Sequence, residues 1–405
     1  MNIPADEFLA TVRASFPGLD DKTFLDAACV SLAPQEASDA ILEFLDLAIQ
    51  CRAADASEHH VAMDHARRRA AAEAARLLSV PERNLALVES TTYGLNVAAQ
   101  TIPLSRGDNV LIADTEFLQV AIPWVNRRRV DGIEIKSVAS DRGELSLDRF
   151  EQSIDRRTRV VCVSSVQWSS GYRVDIPGLG ELCRERGIWL IVDAVQEMGA
   201  LKIDLSGQPA DFVIAGGHKW LNAPFGCGVM CLSDNALESL KPSSYGYLSL
   251  EEPSGGWGTF FRTPGIPPVR EYQFPSTARQ FEVGGTANYP GAIGLAASLR
   301  MINGLGIEVI ERHVRRLGEV LRQGLVERGA RLVSAPLPQA RSGITTFGFH
   351  DTPEEDYRLL QKMLADRVFI SMRYTGPVGG LRVSTHFYNT EDDVLRLLDS
   401  LDHNT

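Results

Sequence analysis

The sequence predicts an α/β protein: a large, mostly parallel sheet covered by helices on both faces, followed by a smaller α+β unit. Three observations carry that expectation. Between residues 85 and 232, apolar runs of strand length alternate with helical stretches, the signature of parallel strands joined by helical crossovers. Residues 242–290 then turn rich in Pro, Gly, Ser and aromatics. Beyond them, helices followed by short strands replace the repeated unit, which marks a second, smaller domain. A chain of 405 residues suits two or three domains, and 44% hydrophobic residues is ample for their cores.

In chain order, the first clear element is 58–78, alanine-rich with interleaved acids and bases, which reads as a long amphipathic helix closed by Pro81. Apolar runs at 85–88, 109–113, 133–135, 160–163, 189–192, 212–215 and 229–232 supply seven strands. The segment 242–290 includes Ser254-Gly-Gly-Trp-Gly-Thr-Phe-Phe-Arg262, and a connection of that length in a compact domain reads as functional. Residues 292–303 and 307–328 read as helices, with short strands at 331–334, 345–349, 368–371 and 381–384. No internal repeat is evident.

Composition excludes several functions. The formal net charge is −11, and the clusters Arg67-Arg68-Arg69 and Arg127-Arg128-Arg129 have acids beside them at Asp64 and Asp131. Phosphate-backbone binding draws on a basic surface that this balance does not provide, so nucleic acid is not an expected partner. No apolar run has the length of a membrane span, and the amino terminus lacks the basic and apolar regions of a signal peptide. The expectation is a cytoplasmic protein, with no membrane partner, whose six cysteines are reduced thiols. Cys227 and Cys231 share a strand face with no histidine nearby, which favours packing over zinc, and no metal site is expected.

Candidate chemistry lies where apolar runs end. Lys219 follows Phe212-Val-Ile-Ala-Gly-Gly-His218, and Asp193 closes Ile188-Trp-Leu-Ile-Val192. A desolvated lysine loses its proton readily, and a neutral amine attacks an aldehyde. The plainer alternatives are a surface lysine closing a strand and an Asp that caps the next helix. Neighbouring parallel strands would bring both residues to one crevice, where open α/β sheets bind ligands. A lysine and a carboxylate there suit pyridoxal phosphate, the lysine as Schiff-base residue and the acid as partner of the ring nitrogen. Ser90-Thr91-Thr92 open a helix after the strand at 85–88 and could form an anion site or a simple N-cap. Phe117 could lie against a ring or in the core. Arg382, in Gly379-Gly-Leu-Arg-Val-Ser384, could grip a carboxylate or form a surface ion pair.

Taken together, Ser90-Thr-Thr92, Asp193-Ala-Val-Gln196, Gly217-His-Lys219, Phe281-Glu-Val-Gly-Gly-Thr286 and Leu381-Arg-Val-Ser-Thr-His-Phe-Tyr-Asn389 occur in an order that resembles the class V aminotransferase family of fold type I pyridoxal phosphate enzymes. The nearest groups by pattern are cysteine desulfurase-like and isopenicillin N epimerase-like, and the resemblance runs from Phe24-Leu-Asp26 to the end. It implies a fold type I transferase architecture: a seven-stranded large domain at 21–290, a small carboxyl-terminal domain at 291–405, and a 1–20 segment packed with the latter. It further implies Lys219 as the Schiff-base lysine, Asp193 as the ring-nitrogen partner, Gln196 as donor to the ring hydroxyl and Phe117 as stacking group. Thr91, Thr92 and His218 would hold the phosphate, with Thr286 reaching in from the second subunit of a homodimer. Arg382 would bind the α-carboxylate of an amino-acid substrate.

Departures from the family pattern shape the expected reaction. Met372-Arg-Tyr-Thr-Gly-Pro-Val-Gly379 lacks the cysteine that relays sulfur as a persulfide, and Phe117 stands where many desulfurases have histidine. Glycines precede His218 where relatives place a phosphate-binding serine, and Asp26-Ala-Ala-Cys-Val30 departs from an Asn-containing version. The first expectation is β-elimination with carbon-sulfur cleavage. Epimerisation follows, then transamination. A pyridoxal phosphate fold serving only to bind is disfavoured by the retained Lys219, Asp193 and Arg382. The aromatic, glycine-rich segment from Tyr245 to Arg279 and a loop at 373–380 are expected to shape the pocket.

Overall fold

The computed structural model describes residues 11–404. After β1 (Thr23–Phe24), the large sheet is built from β2 (Leu85–Val88), β3 (Asn109–Ala113), β4 (Glu134–Val138), β5 (Thr158–Ser164), β6 (Trp189–Asp193), β7 (Phe212–Gly216) and β8 (Gly228–Leu232). Its strand order is β2-β8-β7-β6-β5-β3-β4, with β8 antiparallel to both neighbours and the rest parallel. Continuous apolar runs are what a sheet covered on both faces requires. Along β5 to β7, Val161, Val163, Leu190, Val192 and Val213 enter one core, while Val160, Cys162, Ile191, Phe212 and Ile214 enter the other. The fold class read from the sequence is the one observed.

The alanine-rich helix spans Ala56–Leu78 and starts where Asp55 accepts a hydrogen bond from Glu58 N at 2.9 Å. Fully buried Ala70, Ala71 and Ala74 let it pack closely in the core that also holds Leu295, Leu299 and Ile302 of helix Tyr289–Leu305. That second helix therefore packs on the large sheet's core. The next helix, Ile307–Glu327, gives Ile310 and Val314 to the same core but Leu317, Leu321 and Leu325 to the carboxyl-terminal one. We propose placing the division between the units within this helix. Residues 1–10 of the 1–20 segment lie outside the described residues. In the remainder, Arg13 pairs with Asp393 and Phe16 packs on Phe387 and Tyr388.

The smaller sheet combines β9 (Arg331–Leu332) and β10 (Ile344–Gly348) with β12 (Ser371–Thr375) and β13 (Val378–Ser384), in the order β12-β13-β10-β9. Two expectations are corrected here. The run 368–371 is split: β11 (Val368–Phe369) pairs with β1, and the chain then enters β12. The expected loop at 373–380 is a tight hairpin, paired from Ser371↔Arg382 to Thr375↔Val378, with Gly376 and Pro377 alone in the turn. A Gly-Pro dipeptide flanked by Tyr374, Thr375 and Val378 is itself a turn-and-strand signal. Among the described residues, no single helix is long and apolar enough to cross a membrane.

Candidate active site

The carboxyl ends of the parallel strands gather the expected residues along one edge of the sheet. Asp193 is the last residue of β6 and aligns with Ser164 of β5 and Ile214 of β7. It is 3% exposed, accepts one hydrogen bond, from Val195 N at 2.9 Å, and has no cation within ion-pair distance among the described residues. Burial pushes its carboxyl up to about 6, against the pull of Val195 N and the Lys219 charge. Lys219 follows β7 and sits with Nζ 5.9 Å from the centre of the Phe117 ring. Burial brings its amine down to about 8, with Asp193 opposing and Arg382 assisting. A base in that range exchanges protons readily near neutrality.

A helix start meets the end of β7 close to this pair. Ser90 Oγ accepts from Tyr93 N at 3.1 Å and caps helix Thr91–Thr101, so the amides of Thr91 and Thr92 have no acceptor within the helix. Thr91 Oγ1 accepts from Gly216 N at 2.8 Å, while Thr92 is exposed. A Cβ on Gly216 would lie 3.0 Å from both Thr91 Oγ1 and His218 Nδ1, so the glycine permits the close approach of these two side chains. His218 stacks on Phe225 at 5.1 Å, and burial followed by the Lys219 charge lowers it to about 4, a neutral imidazole.

Phe117 is 38% exposed and meets Trp168 edge to face at 5.2 Å. The Gln196 amide donates to Ala28 O at 3.0 Å and accepts from Trp220 Nε1 at 2.8 Å, which leaves one of its N–H bonds for a further acceptor. Arg382 is only 1% exposed, so it is no surface ion pair: Nη2 meets Asp26 Oδ1 at 3.0 Å and Nη1 donates to the Trp168 carbonyl at 3.0 Å. Its Nε has no partner. Thr286 is exposed on a segment anchored by Glu282.

The sequence profile of the aminotransferase class-V family matches residues 23–397. The chain belongs to this family. An isopenicillin N epimerase of Streptomyces clavuligerus is 30% identical over 340 residues, covering 81% of this chain and 82% of its own length. A probable cysteine desulfurase of Methanothermobacter thermautotrophicus is 26% identical over 408 residues, covering 96% of each. Among solved structures, the apo cysteine desulfurase from Thermococcus onnurineus superposes with a TM-score of 0.84 at 22% identity, covering 100% of this chain and 98% of that one. A cystine C-S lyase in complex with cysteine persulfide superposes equally, at 0.84 and 21% identity, covering 95% and 98%.

As a class V enzyme the protein is pyridoxal phosphate-dependent, and the site residues fit that cofactor. Asp193 is a buried carboxylate short of a cation, which a protonated ring nitrogen would be. Lys219 is a desolvated amine, and the capped helix start with its neutral His218 suits a phosphate. The structure adds residues that the sequence reading passed over. Glu116, buried beside Ser164, accepts from Ser164 N at 2.8 Å and from Gln167 Nε2 at 2.9 Å. Burial lifts it to about 7, so near neutrality it holds its proton about half the time. Its position just before Phe117, after the apolar run of β3, was the available signal. Asp26, pushed up by burial and drawn back by Arg382, and Arg373 beside Cys29 come from opposite chain ends, where no local pattern pairs them.

Proposed function

We propose that this enzyme cleaves the carbon-sulfur bond of a cysteine-derived amino acid by β-elimination. The observation that carries this reading is the hairpin of β12 and β13. A two-residue turn stands where a sulfur-accepting loop cysteine would be needed, on a fold shared with cysteine desulfurases and a cystine C-S lyase. When bound, pyridoxal phosphate supplies an electron sink for the pair left at Cα. Lys219 is the base for the Cα proton, since an amine at about 8 is partly neutral near physiological pH. Asp193 holds the opposing charge, and Gln196, Phe117, Thr91, Thr92 and His218 orient the cofactor. Arg382 binds the substrate carboxylate, which must share the guanidinium with Asp26. The carbon-sulfur bond then breaks with its pair on sulfur, and the enamine released hydrolyses to keto acid and ammonia.

The working unit in this reading is a cytoplasmic homodimer with Thr286 completing the partner's phosphate site. The exposure of Thr286 and six free cysteines are consistent with it. Epimerisation is the second reading, favoured by the 30% identity to an isopenicillin N epimerase. Incubating the holoenzyme with a panel of cysteine S-conjugates in deuterated water separates the two. Keto acid with ammonia is the expected result; deuterium at Cα without net product would establish the epimerase instead. Lys219→Ala is expected to lose the visible absorbance of the bound cofactor, and an unchanged spectrum would remove Lys219 from its role.

A further inference from the structure

Elimination of a thiolate needs an acid as well as a base, and Phe117 carries no proton to give. Glu116 is committed to Ser164 and Gln167, and His218 is stacked on Phe225 as a neutral ring. The segment that departs from the family pattern, Asp26 to Val30, holds another candidate. It is clamped beside Lys219 by three hydrogen bonds: Ala28 N donates to Ser384 Oγ at 3.0 Å, Gln196 Nε2 donates to Ala28 O at 3.0 Å, and Ser31 N donates to His218 O at 2.9 Å. Within that clamp Cys29 is partly accessible, and its Sγ accepts from Arg373 Nη2 at 3.4 Å. Cys29 lies within electrostatic range of Lys219.

The strand register places the cationic neighbours. Ser371 lies opposite Arg382 and Arg373 opposite Gly380, so Ser371, Arg373 and Arg382 share one face of the hairpin. Asp26 receives Arg382 Nη2 and Ser371 Oγ, at 3.0 and 2.9 Å. Arg373 has no carboxylate within ion-pair distance among the described residues, and the buried Arg382 keeps Nε unpaired. Two guanidiniums thus face a single acid, leaving capacity for an anionic ligand at the place where the thiol sits. The other cysteines offer nothing similar: Cys162, Cys183, Cys227 and Cys231 are buried in the cores, and Cys51 lies exposed at a helix end.

We propose that Cys29 is the acid that protonates the departing sulfur, an inference resting on the elimination reading. Lys219 takes the Cα proton; the carbon-sulfur bond breaks with its pair on sulfur; and the Cys29 proton passes to that thiolate. A thiol leaves, and the new Cys29 thiolate is neutralised by Arg373 until it regains a proton from the Lys219 ammonium. A thiol is well matched to this task because donor and acceptor are both sulfur, so the transfer runs close to level. Cys29 is then a specificity device for strongly basic sulfur leaving groups.

The test compares two substrates in the holoenzyme. S-ethyl-L-cysteine must expel a basic thiolate, whereas β-chloro-L-alanine expels chloride, which needs no proton. Cys29→Ala is expected to lower the ratio of S-ethylcysteine to β-chloroalanine turnover by about 10²-fold or more, in the range of a lost general acid. Equal losses on both substrates, or none, would overturn the assignment while leaving elimination intact. Failure of the wild type to release keto acid from either substrate would instead overturn the elimination reading. Fragment mass spectra of wild-type enzyme after turnover with L-cysteine provide an independent readout. Unmodified Cys29 is expected, and an added sulfur on it, with alanine as product, would make it a sulfur acceptor in place of an acid.

Discussion

Asp193 and Glu282 are buried alike, each 3% exposed, yet their surroundings are opposite. Glu282 is well paired: Arg67 and Arg68 each reach it at 2.7 Å, and Leu87 N donates to it at 3.0 Å. Asp193 has Val195 N and, further off, the Lys219 charge. A buried carboxylate with both oxygens engaged by guanidiniums or an amide acts as a staple, here holding the segment that carries Thr286 against β2 and helix Ala56–Leu78. One left short of a cation is destabilising until something cationic arrives. Degree of burial does not separate the two; completeness of pairing does, and incompleteness is what marks the reactive edge.

The contrast breaks most readily at Glu282. Glu282→Ala strands the buried Arg67 guanidinium and leaves the half-buried Arg68 with Glu82 alone, and is expected to cost about 3–5 kcal/mol of unfolding free energy. Asp193→Asn in the cofactor-free protein is expected to be neutral or stabilising. Denaturant unfolding of both variants measures this, and equal destabilisation would erase the distinction.

A somewhat smaller effect lies in pH. Asp193 is raised from 3.8 to about 6 in the folded protein, so the folded state holds more protons than the unfolded state between those values, and stability falls as pH rises through that window. At about 1.4 kcal/mol per unit, the cofactor-free wild type gains on the order of 3 kcal/mol from this group between pH 7 and pH 4. Asp193→Asn should lack that gain, so the difference between the two stability-pH curves isolates it. Parallel curves would mean the carboxylate is already compensated.

The least effect is expected at Glu116, which is buried like Asp193 but hydrogen-bonded like Glu282. Lifted to about 7, it is mostly protonated at pH 6 and mostly charged at pH 8. Glu116→Gln should cost about 1 kcal/mol at pH 6 and less at pH 8, where the wild type bears the desolvated charge. Thermal unfolding at the two pH values distinguishes this from a loss independent of pH.

How far the sequence revealed this arrangement depends on the range of the contacts. Lys219, Asp193 and the Ser90 cap are local features, each a polar residue ending an apolar run, and all three lie where the strand pattern put them. The sheet followed from the same runs because buried parallel strands are apolar on both faces. The hairpin differs from the loop that the family pattern implies, because its pairing is fixed by residues on the opposite strand. Residues 23–29 were the least legible: Cys29 meets Arg373 across 344 residues and Asp26 meets Arg382 across 356, distances over which periodicity carries no information.

The clamp around Ala28 bears on how the chain is made. Its three hydrogen bonds join the first strand region to His218 and Gln196 in the middle and to Ser384 near the end. During synthesis the sheet edge with Asp193 and Lys219 emerges well before either guanidinium of the hairpin. A nascent or carboxyl-terminally clipped chain therefore has the groups that would anchor the cofactor but not those that would grip a substrate. The reaction centre is thus completed only once the hairpin has been made and has docked on that edge.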